Sequence, residues 1–241
     1  MSGQSSLSYP EMNCSKGTID GLQKFVNGIQ DSSQNTILVK GQKYSGSAVC
    51  SKSYSDMYIF AYSTFLTGSD ARVPETTIMG CQPGDIFVHR NIANLYSPQD
   101  DSLNAVMMIA LQNFKVKHIV VTGHTNCVGC QTALNVSLLP TTKAITPLQK
   151  YVEPLATLSK TLFIDNRPPS LDLLVEENVL QQVKNLSECD LVQNDWKRRG
   201  TYGVRVHGWV YHLEDGTIRD LNCAIGPPGH VPGKRLVDTY F

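Results

Sequence analysis

The hydrophobic positions of this chain fall into two rhythms. Lys117-His-Ile-Val-Val-Thr-Gly123 is a β-branched apolar run closed by a glycine, which predicts a strand buried on both faces. Asp85 to Arg90 predicts a second short strand behind a Pro-Gly turn. Gly203 to Leu213 alternates in twos and then meets Glu-Asp-Gly, which predicts a hairpin into Thr217 to Leu221. A helical rhythm takes over elsewhere. Ser102 to Phe114 gathers Leu103, Val106, Met107, Ile109, Ala110 and Leu111 on one side. Leu171 to Leu186 does the same with Leu173, Leu174, Val175, Val179, Leu180 and Val183, and Ser170 is its cap. Ser137 to Arg167 is less regular and reads as a helical excursion over the surface. Strands separated by helices predict an α/β fold with a mostly parallel central sheet flanked by helices. With no internal repeat, residues 1–241 are read as one domain, because single cores remain feasible to roughly 250 residues.

Composition narrows the function classes. The 241 residues carry 21 basic and 21 acidic side chains, with no Lys/Arg block. A nucleic-acid surface needs a basic footprint to neutralise phosphates, so none is expected. No apolar run approaches the ~20 residues of a membrane helix, so no membrane partner is expected. Met1 to Pro10 lacks the basic-then-apolar pattern of a signal peptide, and its Ser-rich, Arg-free text does not read as a transit peptide. Seven cysteines, an odd number without an export signal, argue against a disulfide framework. The expectation is a cytoplasmic, reduced chain, which makes the sequons at Asn135 and Asn185 chance matches.

Two clusters carry candidate chemistry. Gly68-Ser-Asp70-Ala-Arg72-Val-Pro-Glu-Thr-Thr-Ile-Met-Gly-Cys-Gln-Pro-Gly84 runs straight into Asp85-Ile-Phe-Val-His-Arg-Asn-Ile-Ala-Asn94. Gly123-His124-Thr-Asn-Cys127-Val-Gly-Cys130 follows the buried strand. His124 and Cys127 fall at the C-terminal end of that strand, where open α/β sheets place their sites. One tight turn can aim an imidazole and a thiolate at one metal. Taken alone, His124 reads more readily as a satisfied turn or core histidine than as a ligand. Cys127-x-x-Cys130 has redox spacing but no thioredoxin-like context. Cys81, Cys189 and Cys223 read as small buried hydrophobes, and His207 and His212 as structural members of an alternating strand.

Together the clusters resemble the signature of the β-class carbonic anhydrases. The resemblance continues through Glu177-Asn178-Val179 and Val206-His-Gly-Trp-Val-Tyr211, and covers the chain from about Gly41 to Leu221. It implies a zinc enzyme for the reversible hydration of carbon dioxide to bicarbonate, with one site per subunit in a homodimer or dimer of dimers. It implies His124 and Cys127 as zinc ligands. Asp70 and Arg72 match a pair in which the Arg holds the carboxylate off the metal, or releases it to become a ligand. Zinc lowers the pKa of a bound water from about 16 to about 7, and Asp70 would orient the resulting nucleophile by accepting a hydrogen bond. Gln42 resembles the glutamine that binds bicarbonate across the dimer interface, and Arg90 and Asn91 the segment that buttresses the site. Val128 stands where the family usually has Gly.

In the family signature a zinc-binding Cys directly precedes Ser-Asp, and here that position is Gly68, which has no side chain to bind a metal. Cys50 follows Gly41-Gln42 at about the family spacing. Removing Ser51 to Gly68 would join Cys50 to Ser69-Asp70-Ala-Arg-Val-Pro-Glu. A Cys50 codon TGT and Thr67-Gly68 codons ACA-GGC would supply the GT and AG ends of an intron. Residues 51–68 therefore read as an insertion, of the retained-intron kind, with Cys50 as a candidate ligand. Met57-Tyr-Ile-Phe-Ala-Tyr62 has high β propensity and competes for the central strand. Two arrangements follow. Either Gly46 to Cys50 fills the slot beside the metal and the insertion loops out, or Thr64 to Gly68 fills it and Cys50 is displaced. Two other functions are open to the same residues: hydrolysis of carbon disulfide or carbonyl sulfide, and an inactive homologue with a binding or regulatory role.

Overall fold

The computed structural model describes residues 63–81, 84–139 and 146–231, together with the backbone of 36–38. Gln42, Cys50 and the run from Met57 to Tyr62 lie outside the described residues. Among the described residues six strands form one sheet in the order β1-β6-β5-β4-β2-β3. They are β1 (Thr36–Leu38), β2 (Ser63–Gly68), β3 (Ile86–Asn91), β4 (His118–His124), β5 (Arg205–His212) and β6 (Thr217–Asp220). Strands β3, β2, β4 and β5 are mutually parallel, and β6 and β1 complete one edge antiparallel. The expected mostly parallel α/β sheet is the one observed.

Of the two segments set out for the slot between β3 and β4, Thr64 to Gly68 is the one that fills it, and where Cys50 lies is outside the described residues. Ser63–Gly68 lies between β3 and β4, with Gly68 opposite Asn91 and Thr67 opposite both Arg90 and Thr122. All six residues are buried. Phe65 packs with Val120, Trp209 and Ile218 on one face, while Leu66 enters the main core on the other. The last six residues of 51–68 are thus a core strand rather than part of a loop.

Among the described residues seven α-helices accompany the sheet: α1 (Glu75–Ile78), α2 (Asp101–Met108), α3 (Val128–Ser137), α4 (Pro147–Tyr151), α5 (Glu153–Thr161), α6 (Leu171–Glu188) and α7 (Asp190–Arg199). Asp100 caps α2 by accepting from the Leu103 amide at 3.0 Å. The helix then widens into a π-turn over Ile109–Asn113, where the Phe114 amide reaches back to the Ile109 carbonyl. Ser170 caps α6 as expected, accepting from Leu173. Its Val175, Val179 and Val183 lie against β4 and β5, where Gly123 and Gly208 leave room. A Cβ at Gly208 would stand 2.6 Å from the Cys223 sulfur and 2.8 Å from Val179. The excursion from Ser137 to Arg167 is more than surface, since Val152, Leu155 and Ala156 enter the main core. Cys81, Cys189 and Cys223 are only partly buried, a correction to their reading as core residues. Among the described residues no helix is long and apolar enough to cross a membrane.

His207 is buried in β5 and shares a 3.0 Å hydrogen bond with His118 of β4, Nδ1 of His118 to Nε2 of His207. Burial is the main cause that pushes both pKa values down from 6.5, to about 4 for His118 and about 3 for His207. Arg205 and Lys117 add to it for His118, and His118, Arg205 and His230 for His207. A depressed basic group makes the unfolded chain bind more protons below pH 6.5. Stability is therefore complete above that pH and falls as the pH drops toward 4, by up to about 2.7 kcal/mol per unit for two groups. Urea midpoints at pH 7.5 and 5 measure this, and His207→Gln is expected to remove about half of the slope.

Candidate metal centre

The end of β2 and the end of β4 lie side by side, and each supplies part of the site. From β2 the chain turns through Ser69 into the loop of Asp70 and Arg72. Arg72 grips Asp70 with both prongs: Nε to Oδ1 at 2.9 Å and an outer nitrogen to Oδ2 at 2.7 Å, with its backbone amide also on Oδ1. These bonds hold the Asp70 carboxyl well below the usual carboxylate range, against the opposing effect of burial. The same guanidinium donates to the Asn126 carbonyl, so it links the two loops. Arg90 of β3 supports them from below by donating to the carbonyls of Gly68, Asp70 and Val73. Asn91 bridges the Leu95 amide and carbonyl, and its own carbonyl accepts from Ser69. The structure gives both residues the buttressing contacts expected of them.

His124 closes β4 with its ring buried. Its Nδ1 donates to the Thr125 carbonyl at 2.8 Å, which leaves the Nε2 lone pair facing the site. That nitrogen stands 3.7 Å from Asp70 Oδ2. Cys127 follows at the cap of α3 and is hydrogen-bonded to His124. The Cys130 thiol is the main cause that brings the Cys127 pKa down to about 4, with His124 also favouring the thiolate and burial opposing it. Cys130 is pushed up in return. Burial lowers the His124 pKa, but the Cys127 sulfur, the Thr125 carbonyl and Asp70 outweigh it and raise the value overall.

The turn between them is clamped by a residue that sequence spacing did not mark. Glu214, in the β5–β6 hairpin, accepts from the Thr125 hydroxyl at 2.8 Å and from the Asn126 amide nitrogen at 2.7 Å. Asn126 has a positive φ of 53°, a conformation asparagine tolerates. No signal in the sequence ties position 214 to positions 125 and 126.

The donor chemistry of His124, Cys127 and Asp70 suits zinc, which takes nitrogen, sulfur and oxygen ligands. Two ligands of a tetrahedral zinc lie about 3.3 Å apart, a few tenths short of the His124–Asp70 separation. Yet among the described residues no three such donors enclose an ion as they stand. Arg72 holds Asp70, and Gly68 contributes nothing. A Cβ built on Gly68 would lie 3.4 Å from His124 Nε2, so position 68 points at the site without a donor. Cys50 and Gln42, expected here, are outside the described residues.

The carbonic anhydrase family model matches residues 63–218, beginning at the first residue of β2. A carbonic anhydrase of Emericella nidulans is 39% identical over 64% of this chain and 66% of its own length. One from Pseudomonas aeruginosa is 29% identical over 66% of this chain and 73% of its own. Among solved structures, a tetrameric β-carbonic anhydrase from Sordaria macrospora superposes with a TM-score of 0.60 at 32% identity, covering 72% of this chain and 87% of that one. Because the family model spans most of the chain and a β-carbonic anhydrase at 32% identity superposes over 72% of it, the chain belongs to the β-class of the carbonic anhydrase family.

Proposed function

We propose that this site serves the reversible hydration of carbon dioxide to bicarbonate, with zinc held by His124 and Cys127 and retained weakly, because Asp70 becomes a further ligand only when Arg72 releases it. The observation that carries the reading is the paired Asp70 and Arg72 set against His124 Nε2. Zinc, when bound, would supply a Lewis acid that lowers the pKa of a water into the neutral range. The chain's own residues do the rest. His124 is fixed in one tautomer by the Thr125 carbonyl, and Glu214 keeps the turn from rotating. Asp70, ionised at neutral pH, accepts a proton-bearing group at Oδ2 and orients it. Arg72 sets where that carboxylate points, and its release would let Asp70 approach the metal. By analogy with the Sordaria relative, the working assembly is a homo-oligomer. Gln42 remains the candidate for binding bicarbonate, Cys50 a candidate fourth ligand, and the cytoplasm the proposed location.

A second reading, an inactive homologue with a binding role, draws on Gly68. Zinc per subunit and stopped-flow hydration of carbon dioxide at saturating zinc separate the two. The expected result is substoichiometric zinc after dialysis against a chelator, with hydration restored by excess zinc and reduced at least tenfold in Asp70→Asn. Full zinc occupancy without hydration would favour the binding role. Hydrolysis of carbonyl sulfide in preference to hydration would favour a hydrolase of carbon disulfide or carbonyl sulfide.

A further inference from the structure

Cys130 is a second thiol set beside Cys127, and the zinc reading gives it no task. Cys127 is the residue before α3, with extended backbone at φ −71° and ψ 117°, and Cys130 is the third residue of the helix. That is the spacing at which a capping side chain meets the first turn. The two side chains are hydrogen-bonded to each other, both are free thiols, and both are buried. Their turn has little room to shift. A Cβ at Gly129 would stand 2.9 Å from both Ala93 Cβ and Ile92 Cγ2, so α3 sits directly on that segment. Asn178 of α6 bonds to the Cys130 thiol and donates to the Ala93 carbonyl at 2.8 Å. Spacing alone offers no context for redox chemistry, but the fold does: a C-x-x-C at the start of a helix that leaves a buried parallel strand.

We propose that Cys127 and Cys130 form a reversible dithiol–disulfide pair, a redox site that closes when the metal position is empty and then withdraws Cys127 from the zinc ligands. The oxidant is hydrogen peroxide. The Cys127 sulfur takes one peroxide oxygen, becoming a sulfenic acid as the other oxygen leaves in water. The Cys130 sulfur displaces that hydroxyl, which departs with the Cys130 proton as a second water, and the S–S bond forms. Two electrons pass from two thiols to one peroxide, and an external dithiol reverses the step by exchange. The disulfide itself does not depend on the zinc reading; only the competition with metal does.

The test uses the full chain, reduced, stripped with a chelator and treated with hydrogen peroxide, with circular dichroism to show that it stays folded. Both cysteines lie in the tryptic peptide spanning 118–143. That peptide is expected to lose about 2 Da and both alkylation sites, and to regain them with dithiothreitol. In Cys130→Ser the disulfide is expected to vanish and a dimedone-trapped sulfenic acid on Cys127 to take its place. Zinc added first should slow oxidation at least tenfold. Equal oxidation with and without zinc would overturn the competition and remove Cys127 from the ligand set while leaving the pair intact. A folded chain that keeps both thiols, or carries Cys127 on to sulfinate without a disulfide, overturns the pair.

Discussion

Gly68→Cys is expected to turn a weak zinc site into a tight one. Position 68 ends β2 with an ordinary backbone conformation, so it accepts a side chain without strain. Its carbonyl is already fixed by Arg90, and a Cβ there clears His124 Nε2 by 3.4 Å. A thiolate one bond further on would join His124 and Cys127 as a third ligand, while Arg72 keeps Asp70 available to orient water. Structural zinc sites bind with about 10–16 kcal/mol across four ligands, or roughly 3–4 kcal/mol each. One added ligand is then worth on the order of 10²–10³-fold in affinity. Equilibrium dialysis against a chelator of known affinity measures it, and hydration at limiting zinc should rise in proportion. Gly68→Ala is the control, since it fills the same space without a donor. If the two variants retain zinc equally, position 68 does not face the metal and the ligand set is misplaced.

What could be read in the sequence divides along physical lines. Strands β4 and β5 and helix α6 were legible because their apolar periods reflect the faces they bury, and β3, which is only partly buried, because a Pro-Gly turn marks its start. His124, Cys127, Asp70 and Arg72 were legible because short turns keep site residues adjacent in the chain. Helix α3 was missed because its first turn is occupied by the motif itself, and the exposed Val128 and small Gly129 break its apolar stripe. Helix α7 was missed because its key contact is polar and distant. Buried Asp195 accepts from Arg199 at 2.6 Å and from the Val204 amide at 2.9 Å, which ties the helix to the start of β5. Ser63–Gly68 reads with the residues before it because joining Cys50 to Ser69 completes the family signature without it. Text that rejoins neatly on paper says nothing of which side chains fill the core.

That distinction sets the outcome of deleting residues 51–68. The deletion places Cys50 directly before Ser69, but it also removes the whole of β2, the strand between β3 and β4. By count, Ser45 to Cys50 would have to fill the slot, with Ser47 in place of Phe65 and Ala48 in place of Leu66. Both lost side chains are only 1% exposed, and they pack on opposite faces of the sheet. Truncating a buried Phe costs about 3–5 kcal/mol and a buried Leu about 2–5 kcal/mol. Together this approaches the 5–15 kcal/mol by which a typical domain is stable at all. The deletion variant is therefore expected to gain the ligand and lose most of the fold, with a urea midpoint far below that of Gly68→Cys. Excess zinc should recover part of the loss by binding only the folded form. A deletion variant as stable as the parent and fully loaded with zinc would show that Ser45 to Cys50 is the native strand, and the retained-intron account would then stand.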